Sequence, residues 1–287
     1  MFLQILVNGV VLGCLYACIA AGFSLVWGVL NVINLMHGSF IVLGSYLAWG
    51  AYHSIGFSPW VTLAIAAPLF YAVGYAVQRG VLNRVMAAPV LVTLTLTFGM
   101  DLILNNAMIL AFKADYRKLM LDPPLGTLAF GSVVVPVDRL VATAFALVLT
   151  GALYVLLRKS RMGRAIIAVR LDRDAARLMG VDVPSTYAAA FGLGAAMAGC
   201  AGVLLAMIFP ISPLSSLPYL GKAFVVCVLG GLGSVPGAVL GGLVLGLVES
   251  FGAMAFGPEH AVTLSFALLI AFLIFRPQGL LGKRGFE

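Results

Sequence analysis

Long apolar tracts without charge constrain this sequence more than any other feature. No Asp, Glu, Lys or Arg precedes Arg79, and further apolar tracts of roughly 17–25 residues follow it. A helix needs about 20 apolar residues to cross a bilayer, whereas the strands of a membrane barrel alternate every second residue. The tracts therefore predict an all-α polytopic membrane protein.

The composition agrees with this class. Apolar residues make up 62% of the 287 residues and charged residues 9%, and the mean hydropathy is +1.11. A soluble domain needs more polar surface than this. We predict a single transmembrane domain over residues 1–287, with about eight to nine transmembrane helices, some of them broken or re-entrant. The candidate spans are 5–27, 33–52, 60–78, 88–112, 139–157, 186–208, 236–256 and 261–275, and the apolar piece at 219–233 is either a ninth crossing or a re-entrant half-helix.

Basic residues cluster at the ends of the apolar tracts, at Arg79/Arg84, at 158–177 and at 276–284. Cytoplasmic loops carry an excess of Lys and Arg, so the net charge of +7 indicates topology rather than nucleic-acid binding. If all three clusters are cytoplasmic, the C-terminus is inside and the three spans before Arg79 put the N-terminus outside. The region 219–256 then crosses the membrane as a pair or not at all.

The stretch 158–182 is a polar island between two apolar tracts, and it holds seven of the seventeen Lys and Arg residues. A helix here would carry an apolar face and a basic stripe, the face being Ile167, Leu171, Ala175 and Leu178 and the stripe Arg170, Arg173 and Arg177. Asp174 would lie within one turn of Arg170 and Arg177 and orient them. Such a helix either lies on anionic headgroups or docks into a groove of a cytoplasmic protein.

Small residues recur at four-residue spacing, which predicts closely packed helices in lipid. The sets are Gly9/Gly13/Ala17/Ala21, Gly194/Ala198/Gly202 and Gly233/Gly237/Gly241. Gly230, Gly231, Gly233 and Pro236 also predict a helix break at membrane depth, which serves either tight packing or a transport path.

The sequence contains no catalytic constellation. His37, His53 and His260 are far apart, and the glycine-rich stretch 230–242 lacks the Gly-Lys-Ser/Thr ending of a phosphate loop. The four cysteines lie in apolar segments without metal-ligand spacing. We therefore expect no enzyme activity, cofactor or metal.

Ionisable residues within spans are costly and need an explanation. Asp101 has Asn105 one turn later, so the two predict a shared polar face, and Lys222 and Glu249 predict a pair across the bundle. These groups are either structural or part of a substrate path. The candidate path residues are Asn34, His37, Asp101, Lys222, Gly230, Gly231, Gly233 and Glu249. The segment 113–138, an external loop on this topology, is either a plain connector or a docking surface for an extracytoplasmic partner.

Several stretches resemble known permeases. Asp174-Ala175-Ala176-x-x-x-Gly180 resembles the EAA-x3-G loop through which ABC importer permeases contact their ATPase subunits, with Asp in place of Glu and without the I-x-L-P continuation. The pattern from Asn8-Gly9 to Gly44-Ser45-Tyr46 is similar to the N-terminal signature of the branched-chain amino-acid ABC permeases, as are the stretches 163–183, 222–250 and 276–282. Met36 and Ser45 stand where that family commonly has Ala. The chain resembles the shorter of that system's two permease subunits.

The resemblance implies a multi-pass subunit of the bacterial cytoplasmic membrane, surrounded by lipid. Its implied partners are a second homologous permease, two cytoplasmic ATPase subunits and an extracytoplasmic solute-binding protein, with no nucleic acid. The implied ATPase-coupling residues in the loop 158–182 are Arg164, Arg170, Arg173, Asp174, Ala175, Ala176, Arg177 and Gly180.

The resemblance leaves the substrate open. Branched-chain or other hydrophobic amino acids are the first hypothesis, and urea or short amides are the alternative within the family. A stand-alone secondary transporter or channel is the alternative of another class. The sequence shows neither a nucleotide site nor a proton relay, which favours a transporter that receives its energy from another protein.

Overall fold

The computed structural model describes residues 2–86, 88–121, 126–130, 133–276 and 278–282. Within these residues it contains eleven α-helices and one antiparallel hairpin. The helices are α1 (Phe2–Leu30), α2 (His37–Ile55), α3 (Pro59–Gly80), α4 (Val90–Phe112), α5 (Val137–Lys159), α6 (Arg161–Leu171), α7 (Arg173–Leu178), α8 (Val183–Ala206), α9 (Ser216–Gly230), α10 (Val235–Phe256) and α11 (Ala261–Phe275). The hairpin pairs β1 (Thr127–Phe130) with β2 (Val133–Pro136).

The helices confirm the all-α polytopic class. In the described part of the chain, seven helical segments are long and apolar enough to cross a membrane, and a shorter apolar helix spans Val262–Phe275. Each predicted span overlaps one helix, and the piece at 219–233 corresponds to α9. The hairpin, which the sequence analysis did not predict, lies in the segment predicted as an external loop.

Helix α1 forms the centre of the bundle because its small residues allow neighbouring backbones to approach. A Cβ added at Gly13 would lie 2.8 Å from the Cα of Leu243 in α10, and one added at Gly242 would lie 2.7 Å from the backbone nitrogen of Ala17. On the α8 side, a Cβ at Gly194 would meet the carbonyl oxygen of Gly22 at 3.0 Å. These contacts are the van der Waals packing that holds helices together in lipid.

Helix α2 begins in the middle of the bundle rather than at its end. The imidazole Nε2 of His37 lies 3.0 Å from the carbonyl oxygen of Ile19, near the middle of α1. The chain reaches this point through residues 31–36, which start at Asn31 with a φ of 52° and contain no helix. Asn tolerates this left-handed conformation better than most residues. This broken crossing is a feature that the sequence analysis missed.

The predicted break after Gly230 is present, but its depth differs from the prediction. Helix α9 ends at Gly230 and α10 begins at Val235, with positive φ values at Gly231 (97°) and Gly233 (77°). The guanidinium of Arg170, from the polar loop, donates to the carbonyl oxygen of Gly233 at 2.6 Å. The turn therefore lies at the polar end of the bundle, because a basic loop contacts it there.

The C-terminal segment forms hydrogen bonds at the same turn. The backbone nitrogens of Leu280 and Leu281 donate to the carbonyl oxygens of Leu229 and Gly230 at 2.8 and 3.1 Å. These carbonyls are orphaned by the end of α9, so the C-terminal segment supplies donors that the helix itself lacks. Helices α9 and α10 thus form an antiparallel pair joined at this end, as the pairwise crossing of 219–256 requires.

The two ends of the bundle differ in charge as the topology predicts. At one end the Gln4 side chain bonds the backbone of Val134 in the hairpin, at 2.9 and 2.8 Å. At the other end the side chain of Asn83, next to Arg84, donates to the carbonyl oxygen of Pro184 at 3.1 Å. The basic clusters share this second end, which the excess of Lys and Arg predicts to be the cytoplasmic one.

Candidate functional site

The loop 158–182 folds as two short helices, so the prediction of a single helix was wrong. Asp172 has extended backbone (φ −156°) and ends α6. Its Oδ1 accepts from the backbone nitrogens of Asp174 and Ala175, both at 2.9 Å, and so caps α7. Asp at this position competes with a continuous helix because its carboxylate satisfies the amides that begin the next one.

The apolar face predicted for this loop is also wrong, since its members are exposed. Leu171 and Leu178 are 75% and 87% exposed, and Ile167 and Ala175 are exposed as well. The side chains that pack against the bundle are instead Ile166, Val169 and Ala176. The break at Asp172 changes which residues share a face, because α6 and α7 no longer follow one helical register.

The end of α7 presents an apolar tip to solvent. Leu178 and Met179 are 87% and 84% exposed, and Gly180 follows with a φ of 81°. Nothing lies within 4 Å of a Cβ added at Gly180, so its backbone conformation and not its size requires glycine. The tip therefore exposes two adjacent large apolar side chains on an otherwise polar loop.

Several arginines of this loop are exposed. Arg164, Arg173 and Arg177 are exposed, and the Nε of Arg173 lies 3.8 Å from the carboxylate of Asp174. Arg173 and Arg177 also line a cavity of about 170 Å³ between α7 and the turn that follows α3.

Arg170 differs from the other arginines because it turns inward to Gly233. Partial burial lowers the pKa of the Arg170 guanidinium from its usual value, but such a group stays charged at neutral pH.

The predicted pair of Lys222 and Glu249 is confirmed, and two further residues complete it. The Lys222 Nζ lies 2.9 Å from Glu249 Oε2. The Tyr16 hydroxyl donates to the same oxygen at 2.6 Å and accepts from Lys222 at 2.7 Å. Ser265 donates to the other carboxylate oxygen at 2.5 Å. This charged cluster joins α1, α9, α10 and α11, and its satisfied geometry favours the structural alternative for both ionisable residues.

A polar stripe runs along one face of α4. It consists of residues at four-residue spacing, which place their side chains on one side of a helix: Thr93, Thr97, Asp101 and Asn105. The Asp101 carboxylate accepts from the Asn105 amide at 3.1 Å, as the predicted shared face requires, and also from the Ser39 hydroxyl. Thr93, Thr97 and Ser39 were missed, although the spacing of the threonines was visible in the sequence.

The stripe faces the broken crossing at residues 31–36. The Thr97 hydroxyl donates to the carbonyl oxygen of Ile33 at 3.1 Å. Asn34 and His37 are fully buried beside it, and the Asn34 Oδ1 accepts from the backbone nitrogen of Met36 at 3.1 Å.

The predicted path residues thus separate into three places. Asn34, His37 and Asp101 lie where the broken crossing and the start of α2 meet the α4 stripe. Lys222 and Glu249 lie in the charged cluster, and Gly230, Gly231 and Gly233 lie at the turn between α9 and α10. In the part of the chain that the structure describes, no group of three or more metal-ligating side chains occurs.

The chain is a polytopic helical bundle with buried polar side chains where residues 31–36 meet α4, and with an exposed basic loop at one end. This arrangement is the one expected of a membrane transport subunit. The family model for the permease component of branched-chain amino acid transport systems matches residues 5–273. The chain therefore belongs to this permease family.

Individual relatives span nearly the whole chain. BraD of Pseudomonas aeruginosa, a high-affinity branched-chain amino acid transport system permease protein, is 35% identical over 98% of this chain and 96% of its own length. LivH of Escherichia coli K12, with the same description, is 34% identical over the same shares of the two chains. LivM, a permease of the same organism, is 30% identical over 93% of this chain and 68% of its own length. No solved structure is significantly similar to this chain.

Proposed function

We propose that this chain is the membrane-spanning permease subunit of an ATP-driven importer of branched-chain amino acids in the bacterial cytoplasmic membrane. The observation that carries the proposal is the apolar tip of α7, Leu178 and Met179, exposed at the basic end of the bundle. Relatives with this length and family are described as branched-chain amino acid permeases. The chain itself has no nucleotide-binding motif, so the energy for transport comes from separate ATPase subunits.

In this proposal the loop 158–182 is the contact through which the ATPases drive the permease. An exposed apolar helix end flanked by charges fits a groove in a soluble protein. The apolar tip would supply binding affinity, and the arginines would orient the helix in the groove. A helix lying on headgroups would instead need one continuous apolar face along α6 and α7. The exposed residues here do not form such a face, because the chain breaks at Asp172.

The proposal includes three kinds of partner: a second, related permease, two cytoplasmic ATPase subunits and an extracytoplasmic solute-binding protein. Similarity to both LivH and LivM of one organism supports pairing between two related permeases. The hairpin and the loop before it supply the external surface for the binding protein.

The docking role is tested by co-purification. We expect Leu178→Glu, and separately Arg173→Glu with Arg177→Glu, to reduce recovery of the ATPase subunits with the permease, while the permease still inserts into the membrane. The matched control is Lys118→Glu, an exposed basic residue in the external loop. Unchanged ATPase recovery in the loop variants would refute the docking role.

Substrate and energy source are tested in proteoliposomes. We expect the assembled transporter to accumulate leucine only when ATP is supplied on the cytoplasmic side, with unlabelled leucine competing and urea not competing. Competition by urea would support the amide alternative. Uptake by the permease alone, without ATPases, would support the stand-alone transporter.

A further inference from the structure

The polar stripe of α4 contains a carboxylate whose surroundings distinguish it from the other buried acid. Asp101 is the middle residue of α4, so it lies near the centre of the bilayer, where an ionised side chain needs a partner. Glu249 has Lys222 at 2.9 Å. In the described residues, Asp101 forms no ion pair with a basic side chain.

The groups that hydrogen-bond to Asp101 orient its carboxylate without supplying a counter-charge. The Ser39 hydroxyl and the Asn105 amide both donate to its carboxylate. Ser39 lies in the first turn of α2, and the N-terminus of a helix favours a nearby anion. Asp101 is only partly buried, so part of this residue remains accessible.

A second observation shows that the cluster lacks a hydrogen-bond donor. The Oδ1 of Asn105 is inaccessible to solvent and has no hydrogen-bond partner among the described residues. A buried acceptor without a donor is costly, and native structures normally satisfy it. The cluster therefore lacks a counter-charge at Asp101 and a donor at the closed-off Asn105 oxygen.

We propose that Asp101, Ser39 and Asn105 bind the α-ammonium group of the transported amino acid. The inference rests on the proposed function and specifies how the substrate is recognised. An α-ammonium group carries a positive charge and three N–H donors, so it supplies the counter-charge that the Asp101 carboxylate lacks. Urea offers N–H donors but no charge, so this site favours an amino acid over an amide.

The test compares three ligands that differ at one group each. Leucine has both charged groups, leucinamide keeps the ammonium group at mildly acidic pH, and 4-methylpentanoate keeps only the carboxylate. Affinity is measured for the complete transporter in nanodiscs, without the solute-binding protein, by isothermal titration. The variant is Asp101→Asn, which removes the charge and nearly preserves the shape. The matched control is Thr95→Val, an exposed residue elsewhere on α4.

We expect wild-type and Thr95→Val transporters to bind leucine and leucinamide more tightly than 4-methylpentanoate. In Asp101→Asn, affinity for leucine and leucinamide should fall by about 10- to 100-fold, as for the loss of a charge-assisted hydrogen bond, while affinity for 4-methylpentanoate stays the same. An equal fall for all three ligands would assign Asp101 to structure and overturn the proposal. Unchanged leucine affinity would overturn it too, and so would uptake that depends on Na⁺ in the wild type but not in Asp101→Asn.

A failure of the ammonium-site proposal can be distinguished from a failure of the proposed function. If the wild-type transporter neither binds nor accumulates leucine, the proposed substrate is wrong, whatever Asp101 does. If the wild type accumulates leucine and Asp101→Asn retains full preference for the ammonium group, only the ammonium site is wrong.

Discussion

The charged cluster of Tyr16, Lys222, Glu249 and Ser265 gives the sharpest test of how this fold is stabilised. Lys222→Met removes the ammonium group and leaves the Glu249 carboxylate, 5% exposed, with two neutral donors. Breaking a buried pair from one side costs about 3–5 kcal/mol, because the remaining charge has no counter-charge. We therefore expect Lys222→Met to lower the free energy of unfolding by this amount.

The double variant Lys222→Met with Glu249→Met should recover part of that loss. Both charges are gone, and what remains is the loss of three hydrogen bonds at about 0.5–1.5 kcal/mol each: those from Tyr16 and Ser265 to Glu249, and that from Lys222 to Tyr16, which the single variant lacks as well. The double variant is then destabilised by about 1.5–4.5 kcal/mol. It should therefore be more stable than Lys222→Met alone, although it carries one more substitution.

The assay is reversible unfolding of the purified permease in mixed micelles, with all variants compared at one detergent composition. Lys159→Met is the matched control, because Lys159 is exposed at the cytoplasmic end of α5 and its loss should change stability by less than about 0.5 kcal/mol. If the double variant is as unstable as the sum of the two single variants, charge compensation is not what the cluster provides. Equal stability of Lys222→Met and wild type would refute the argument altogether.

Two further predictions concern helix packing and the cytoplasmic turn. Gly13→Val should destabilise the permease by about 1–3 kcal/mol or more in the same assay, because its Cβ would lie 2.8 Å from the backbone of Leu243. Gly151→Ala, with nothing within 4 Å of its Cβ, should be neutral or slightly stabilising, and equal effects at the two sites would contradict the packing argument. Arg170→Ala should reduce leucine uptake at least about tenfold while the ATPases still co-purify, because it loses a charge-assisted bond to Gly233 without altering the α7 tip. Loss of ATPase recovery in Arg170→Ala, measured beside Arg161→Ala as control, would place Arg170 in the docking surface instead.

Features that depend on composition over a whole span were predictable from the sequence. Each predicted span overlaps a helix, whereas α6 and α7 lie in the polar loop outside the apolar tracts. The scarcity of charge made the pairing of Lys222 with Glu249 a natural hypothesis, since an unpaired charge in a span is costly. The glycines near 230 located the break, because Gly231 and Gly233 adopt positive φ values that most residues avoid.

Two kinds of feature were not predictable from the sequence: a choice between one continuous helix and a capped second helix, and contacts between residues far apart in the chain. The sequence of the loop 158–182 predicts one amphipathic helix. In the structure the Asp172 carboxylate caps a second helix, and because the two helices do not share one register, Leu171 and Leu178 are exposed to solvent. The broken crossing at 31–36 has no proline or glycine to indicate it. Its backbone is supported from another helix, where Thr97 donates to the carbonyl oxygen of Ile33, and spacing along the chain carries no information about such a partner.

Helix α9 connects the sites that the sequence analysis treated separately. Its cytoplasmic end adjoins the turn that Arg170 holds, and its middle carries Lys222 of the charged cluster. Near its other end, a Cβ added at Gly38 of α2 would lie 3.1 Å from the Cβ of Leu220. A 15-residue helix is about 22 Å long, so a rigid element spans from the basic loop to the point where α2 begins. Because Ser39 beside that point contacts Asp101, α9 links the turn held by the polar loop to the residues that border the proposed ammonium site.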